Sequence, residues 1–185
     1  VAWASGWVGP DGTAVDTPGR PSSLHVLNSV IGVGMAHGST AFVAGDKSWQ
    51  RPKPNDEAGF SVSSGQMDGA DVWLIGAPAL GRVYALDSNN LNVVAEWTGA
   101  GRFGHAIAAA DLNGDTIDDL IVGAPFDGPT GSVTVFYNFA GEGETLETVG
   151  HAQTGSSLHA SEGRLLIGAP GEPGSPGMVL MVPLL

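Results

Sequence analysis

The sequence predicts an all-β fold of repeated four-stranded antiparallel units, and three observations support this. Glycine is very frequent, at 29 of 185 residues, and proline adds 12, whereas only 14% of the residues are charged. This composition favours short strands joined by turns over long amphipathic helices. The tripeptide Gly-Ala-Pro recurs with its glycine at positions 76, 123 and 168, which are 47 and 45 residues apart. A period of this length with four strands per unit is typical of a β-propeller blade.

The units differ in how completely they show the pattern. The pattern predicts four units. Residues 1–58 form an incomplete or degenerate blade with a loop, and residues 59–99 form a blade. Residues 100–151 form a blade with an acidic loop, and residues 152–185 form a blade that lacks its outer strand. In the first unit, residues 25–46 predict two short strands, and the proline-rich, charged residues 47–58 predict a surface loop. We therefore expect part of a propeller, completed by a partner.

The later units open with GFSVSSG, RFGHAIAAADLNG and GSSLHASEG, and each continues with a segment that ends in Gly-Ala-Pro. Glycine and alanine allow the backbone to approach a crowded neighbour, and proline ends the hydrogen bonding of the strand. In the most regular unit, LIVGAP is followed by GSVTVFY, whose β-branched and aromatic residues predict another strand. The repeated glycines are therefore interpreted as architecture.

An acidic loop, DLNGDTIDD, occupies residues 111–119 between two predicted strands. Its polar residues Asp111, Asn113, Asp115 and Asp119 fall at positions one, three, five and nine, so that a tight turn would direct several oxygens to one centre. The carbonyl of Ile117, at position seven, can add another. Calcium takes six to eight oxygen ligands, so this spacing predicts a site for one calcium ion.

Other interpretations of this loop are weaker. A helix–loop–helix calcium site needs glycine at position six and glutamate at position twelve, which here are Thr116 and Val122. A metal-free turn is the main alternative, because Asp, Asn and Gly favour turns in any case. Magnesium is disfavoured because it usually keeps several waters.

The overall composition excludes several classes of function. The formal net charge of -12 argues against sequence-independent nucleic-acid binding, and no apolar segment approaches the length of a membrane-spanning helix. The chain contains no cysteine, so it has no disulfide and no thiolate metal site. Since the predicted calcium site suits extracellular calcium levels, we expect a secreted protein, and the start at Val1 suggests a processed or partial chain.

No candidate catalytic residues emerge from the sequence. It has no G-x-S-x-G elbow, no H-E-x-x-H zinc motif and no phosphate-binding loop. Trp49, Trp73 and Trp97 could line a sugar site, but one tryptophan per unit is more typical of packing between blades. We therefore expect no catalytic site in this chain.

The segment FGHAIAAADLNGDTIDDLIVGAP resembles the FG-GAP repeat of integrin alpha-subunit propellers. The resemblance implies a β-propeller blade whose acidic loop binds calcium. The ligands that it implies are Asp111, Asn113, Asp115, the carbonyl of Ile117 and Asp119. The loops in the neighbouring units lack this acidic spacing, so the resemblance implies no metal there.

Within residues 59–125, the segments SVSSG, WLIGAP, RVYALDS, EWTG and RFGHAIAAADLNGD carry a closer resemblance, which is to the C-terminal propeller of the glycosylphosphatidylinositol-specific phospholipase D family. It implies a secreted, non-catalytic propeller region that supports a separate zinc-dependent catalytic domain. Zinc would be bound only in that domain, and the parent protein would be a hydrolase acting on GPI anchors. The alternative is an integrin-alpha-like or lectin-like binding propeller with no enzyme attached. The expected partners are the remaining blades or the catalytic domain, and a glycan or protein ligand.

Overall fold

The secondary structure of the described residues consists of seventeen strands and one 3₁₀ turn, which confirms the prediction of an all-β fold. The computed structural model describes residues 6–8, 14–16, 20–37, 40–50, 52–146, 151–161, 163–171, 174 and 176–183. Parts of the predicted segments at 1–5, 147–150, 162 and 184–185 lie outside the described residues. All the strand pairs in the sheets are antiparallel.

The strands form five sheets. A short hairpin consists of β1 (Gly6–Val8) and β2 (Ala14–Asp16). The first large sheet consists of β3 (Ser23–Leu27), β4 (Val30–Gly34), β5 (Thr40–Ala44) and β6 (Lys47–Gln50). The second consists of β7 (Ser61–Met67), β8 (Ala70–Ala77), β9 (Arg82–Asp87) and β10 (Val93–Thr98). The third consists of β11 (Ala106–Ala110), β12 (Asp119–Ala124), β13 (Ser132–Phe136) and β14 (Glu144–Thr145), with the 3₁₀ turn at Tyr137–Phe139. The last consists of β15 (Ser157–Ser161), β16 (Arg164–Ala169) and β17 (Met178–Pro183).

The large sheets pack face to face in chain order. Their first strands form a continuous inner row, in which β3 contacts β7, β7 contacts β11 and β11 contacts β15. Three apolar clusters fill the spaces between successive sheets. Sheets of this kind are consistent with propeller blades, and the described residues form no closed ring.

The glycine of the Gly-Ala-Pro tripeptide lies where neighbouring sheets approach most closely. A Cβ on Gly76 would lie 2.1 Å from the carbonyl oxygen of Gly104, and a Cβ on Gly123 would lie 2.1 Å from that of Gly155. A larger residue would push the sheets apart, so the close approach that the sequence predicted requires glycine at both positions.

The Phe103-Gly104 pair has counterparts that the sequence does not reveal. Gly104 has a φ of 89°, and two further glycines share this left-handed conformation just before the first strand of a sheet, namely Gly59 at 91° and Gly155 at 87°. The equivalent pairs are therefore Ala58-Gly59 and Thr154-Gly155. Like Phe103, both Ala58 and Thr154 are buried. In all three pairs the residue before the glycine is therefore buried, although the type of side chain differs.

The prediction for residues 25–46 was wrong in its strand count, as was the loop prediction for residues 47–50. Three strands, not two, lie within or overlap residues 25–46, and a fourth, Lys47–Gln50, begins the segment that was predicted to be a loop. The missed turn lies at Asn28 and Ser29, whose φ angles of 47° and 66° are those of a tight hairpin turn. Because Asn-Ser is a less distinctive turn signal than Asn-Gly, the pattern predicted one strand where the structure has a hairpin of two strands. The division into blades at the stated boundaries stays a prediction.

The tryptophans lie between the sheets, as the packing interpretation predicted. Trp73 is buried against Phe42, with ring centroids 5.1 Å apart, and Trp49 packs on Tyr84 at the same distance. Trp97 is buried near Phe136. Within the described residues, no helix has the length and apolar character needed to cross a membrane.

Candidate metal-binding loop

The acidic loop connects two neighbouring strands of the third sheet. Strand β11 ends at Ala110, which pairs with Asp119 at the start of β12. The loop therefore begins at Asp111 and closes a hairpin, as the strand-like flanks predicted. The first and last polar residues of the loop are brought side by side because their strands are paired.

Asp111 organises the backbone of the loop. Its Oδ1 accepts hydrogen bonds from the N–H groups of Gly114 (2.7 Å) and Asp115 (3.2 Å), and its Oδ2 accepts one from Thr116 (2.7 Å). Gly114 and Thr116 both have positive φ, at 81° and 73°. These three backbone N–H groups lie in the turn, outside the pairing of the strands, so the carboxylate of Asp111 accepts their hydrogen bonds.

Asn113 and Asp115 add further hydrogen bonds within the loop. The Oδ1 of Asn113 accepts the N–H of Asp115 (2.9 Å), and its amide nitrogen donates to the Oδ2 of Asp115 (3.0 Å). The N–H of Ile117 donates to the Oδ1 of Asp115 (2.9 Å). This backbone bond is the main reason why the pKa of Asp115 is lowered, so its exposed carboxylate is ionised at neutral pH.

Asp119 is the buried residue among the four polar residues that the sequence pattern singled out in this loop. Its Oδ2 accepts the N–H of Leu112 (2.9 Å), and its Oδ1 accepts the N–H of Asn138 (2.8 Å). Desolvation raises the pKa of Asp119, the two backbone hydrogen bonds oppose that change, and the charges of Asp115 and Asp111 raise it further. Three carboxylates thus repel one another at this end of the sheet.

Asp118 and Asn138 make hydrogen bonds that hold the loop in place, and the sequence did not single them out. The Oδ2 of Asp118 accepts the N–H of Gln66 (2.8 Å) on β7, which ties the loop to the preceding sheet. Asn138 lies in the 3₁₀ turn with a φ of 54° and closes the loop through Asp119. Both contacts join residues that are distant in sequence, so no local pattern indicated them.

The chemistry of these residues fits a hard cation, although their present hydrogen bonds use part of their capacity. Asp111, Asp115 and Asp119 supply carboxylate oxygens and Asn113 can add its amide oxygen, and each ionised carboxylate has about four acceptor positions, more than the backbone donors occupy. Among the described residues, no three His, Cys, Asp or Glu side chains form a metal-holding group by themselves. An ion here would therefore also need the amide oxygen of Asn113 and a backbone carbonyl. The predicted ligand set, including the Ile117 carbonyl, stays a prediction.

An open groove of about 1150 Å³ runs beside the loop, between the third sheet and the last one. Its polar lining includes Asp111 and Asp118 on one side and Ser161 and Arg164 on the other. A surface with both carboxylates and a guanidinium can hold a polar ligand by several hydrogen bonds.

Comparison with protein families gives one match. The family model described as FG-GAP repeat matches residues 103–136, which include the acidic loop and strands β11 to β13. The match covers the sheet in which the sequence pattern is most regular.

Several integrin alpha subunits are similar to part of the chain. Integrin alpha-PS2 of Drosophila melanogaster is 35% identical over 42% of this chain, integrin alpha-4 of Xenopus laevis is 38% identical over 56%, and human integrin alpha-IIb is 41% identical over 36%. The alignments cover 7%, 11% and 7% of those proteins, so the chain spans about a tenth or less of their length.

Two solved structures share the fold. The computationally designed Ika4 protein has a TM-score of 0.63 at 15% identity, covering 91% of this chain and 94% of that one. The computationally designed Ika8 protein has a TM-score of 0.62 at 14% identity, covering 94% of this chain and 50% of that one. The chain is thus similar to the FG-GAP repeat over residues 103–136 and to integrin alpha subunits over about a third to a half of its length.

Proposed function

We propose that the chain is the calcium-binding part of an extracellular β-propeller that binds other macromolecules. The observation that carries this proposal is the 111–119 loop, in which backbone N–H groups hold Asp111, Asn113 and Asp115 in one tight turn. That loop lies within the matched FG-GAP repeat. The integrin alpha relatives support a role in binding or adhesion, carried out together with other domains or chains.

One calcium ion would be held by Asp111, Asn113, Asp115, the carbonyl of Ile117 and Asp119. The ion would offset the desolvation of Asp119 and the repulsion from Asp115 and Asp111, which together raise the pKa of Asp119. It would also brace Asp118, whose carboxylate bonds to the preceding sheet. Extracellular calcium modules have dissociation constants on the order of 0.1–1 mM, which we expect here. At millimolar calcium, binding of this strength stabilises the fold by roughly 0.5–1.5 kcal/mol.

Thermal unfolding with calcium, with magnesium and with a chelator tests this function. Calcium should raise the melting temperature of the unmodified chain, and magnesium should raise it less. Asp115→Ala should abolish the calcium response, because the exposed carboxylate is lost while the apolar core is untouched. Asp46→Ala, which removes an exposed carboxylate in a distant turn, is the matched control and should keep the full response. An unchanged response in Asp115→Ala would show that the ligands are assigned wrongly.

At a finer level, we propose that the parent protein is similar to glycosylphosphatidylinositol-specific phospholipase D. The resemblance over residues 59–125 supports this, with zinc and the catalytic groups in a separate domain. In that case the present chain supports or positions the catalytic domain. The pure chain should then show no release of GPI-anchored proteins, whereas the parent protein should. Turnover by the chain alone would contradict this division of labour.

An adhesion or glycan-binding propeller without an enzyme is the second candidate. The groove beside the loop favours it, because Asp111, Asp118 and Arg164 offer polar contacts to a ligand. Glycan-array binding by the intact chain, lost in Arg164→Ala, would support this candidate. Sequencing the gene upstream of Val1 distinguishes the two, since only the first requires a zinc-binding catalytic domain.

A further inference from the structure

Asn113, at the third position of the acidic loop, stands directly before a glycine. The chain has seven asparagines, and Asn113 is the one that glycine follows. Such an asparagine is prone to deamidation, because glycine has no side chain to shield its main-chain nitrogen and allows backbone angles that other residues avoid. Asn113 is also exposed to water. Its place in the sequence and its exposure therefore both favour loss of the side-chain amide.

The reaction joins two neighbouring groups of the chain. The main-chain nitrogen of Gly114 attacks the Cγ of Asn113, and the new bond closes a succinimide ring. The side-chain nitrogen leaves as ammonia and takes the proton of the Gly114 N–H with it. A water molecule then opens the ring, either at the bond from nitrogen to Cγ, which gives aspartate, or at the bond from nitrogen to the main-chain carbonyl carbon, which gives isoaspartate. The reaction thus consumes water, releases ammonia and needs no other reactant.

The folded loop holds both of the groups that react. The N–H of Gly114 donates to the Oδ1 of Asp111 (2.7 Å). The amide of Asn113 is held at both of its atoms, since its Oδ1 accepts the N–H of Asp115 (2.9 Å) and its Nδ2 donates to the Oδ2 of Asp115 (3.0 Å). Ring closure requires the amide to leave Asp115 and meet the nitrogen of Gly114. These hydrogen bonds must therefore break before the exposed asparagine can react.

Release of Gly114 loosens the whole turn. The carboxylate of Asp111 also accepts the N–H groups of Asp115 (3.2 Å) and Thr116 (2.7 Å), so one side chain holds three successive N–H groups. Strands β11 and β12 are paired on either side and fix both ends of the loop. The reactive arrangement is therefore reached by local opening of the turn, while the sheet stays paired.

From these contacts we propose that Asn113 is a site of spontaneous deamidation, suppressed while the loop is closed and permitted when the turn opens. The carboxylates of Asp111 and Asp115 are the groups that suppress the reaction. The inference goes beyond the proposed calcium site and does not rest on it, because protein groups alone make the contacts that hold Asn113 and Gly114. The modification accumulates with time and records how often the turn opens.

Either product changes the loop permanently. Isoaspartate lengthens the main chain by a methylene group at this position, so the N–H groups that follow no longer match the carboxylate of Asp111. Aspartate keeps the main chain but places another carboxylate beside Asp111, Asp115 and Asp119, which increases the repulsion among them. Both products also lose the Nδ2 group that donates to Asp115. Deamidation of this residue therefore weakens the bonds that shape the turn.

Peptide mapping by mass spectrometry measures the reaction at residue 113. The intact chain is incubated with a chelator in mildly alkaline buffer, either folded or unfolded in guanidinium chloride, and the fractions of aspartate and isoaspartate are followed with time. Because several hydrogen bonds protect the folded loop, deamidation at residue 113 should be at least about tenfold slower in the folded chain than in the unfolded one. Equal rates in the two states would overturn the proposal. The chelator separates this test from the calcium assay, so either proposal can fail alone.

Two variants test whether the carboxylates suppress the reaction. Asp111→Ala frees the N–H of Gly114 and should speed deamidation in the folded chain at least about fivefold. Asp115→Ala removes the acceptor of the Asn113 Nδ2 but keeps the N–H that donates to its Oδ1, and should give a smaller acceleration. Asp46→Ala, which removes an exposed carboxylate in a distant turn, is the matched control and should leave the rate unchanged. Unchanged rates in both loop variants would show that the carboxylates do not protect Asn113.

Asn28 provides an internal reference for unfolding of the whole chain. It is followed by serine, and its Nδ2 donates to Asp71 on a different sheet. In Asp111→Ala, local opening should speed the reaction at residue 113 and leave the rate at Asn28 unchanged. Circular dichroism checks that the variants fold, and Asp115→Ala, in which the turn keeps its bonds to Asp111, carries the test if Asp111→Ala does not. Equal acceleration at residues 28 and 113 would assign the reaction to global unfolding and contradict the proposal.

Discussion

Replacing Gly123 by alanine should destabilise the protein out of proportion to the single methyl group that it adds. The new Cβ would lie 2.1 Å from the carbonyl oxygen of Gly155, and 3.0 and 3.2 Å from its carbonyl carbon and Cα. All three atoms belong to the backbone of the next sheet, so no side-chain rotation can relieve the overlap. The third and last sheets must therefore separate locally, which disturbs the apolar cluster between them.

The size of the effect follows from the cost of overpacking. Forcing an extra methyl group into a close-packed contact costs about 1–3 kcal/mol. For a chain of this length, each kcal/mol lowers the melting temperature by about 2–4 °C. We therefore expect Gly123→Ala to melt about 2–12 °C below the unmodified chain.

Gly168→Ala provides the matched control, because none of the described sheets brings a backbone carbonyl against the same tripeptide glycine there. Its Cβ would meet the hydroxyl of Ser157 at 2.1 Å, and a serine hydroxyl can rotate away. The cost should stay below about 1 kcal/mol. Urea unfolding of both variants, at concentrations at which the chain is monomeric, measures the difference. Equal losses at the two positions would refute the argument that sheet-to-sheet contact selects glycine.

Further changes probe the acidic loop and the first interface between sheets. Asp119→Asn should cost about 1–3 kcal/mol in urea unfolding, because one amide oxygen cannot accept both backbone donors that the buried carboxylate satisfies; a loss as small as that of an exposed substitution would contradict this. Asp118→Ala should cost about 1 kcal/mol by releasing the N–H of Gln66, and hydrogen exchange at that amide should speed up; unchanged exchange would argue against the contact. Burial lowers the pKa of His25 below its ordinary value of 6.5, so the unfolded chain binds the proton first, and stability should fall as pH drops below about 6.5. His25→Gln should flatten this pH dependence in thermal melts, and an equally steep profile would assign it to other groups.

The sequence predicted those features of the fold that depend on local chemistry. The Gly-Ala-Pro spacing indicated the repeated sheets because glycine is required wherever two sheets touch. The Asp and Asn residues at positions one, three, five and nine of the segment 111–119 indicated a tight loop, and the structure places that loop in a hairpin. The FG-GAP match at residues 103–136 agrees with the resemblance that the same residues carried.

The remaining features depend on contacts between distant residues. The bond from Gln66 to Asp118 spans 52 residues, and the bond from Asn138 to Asp119 spans 19, so neither leaves a local pattern. The hairpin turn at Asn28 and Ser29 was missed because both residues adopt positive φ without a glycine.

Equilibrium dialysis of the intact chain against radioactive calcium tests the central claim most directly, since it counts bound ions without relying on stability. The proposed site predicts one calcium ion per chain, with a dissociation constant on the order of 0.1–1 mM, and loss of that ion in Asp115→Ala. No bound calcium at millimolar concentration, or one ion retained by Asp115→Ala, would contradict the assignment of the 111–119 loop as a calcium site.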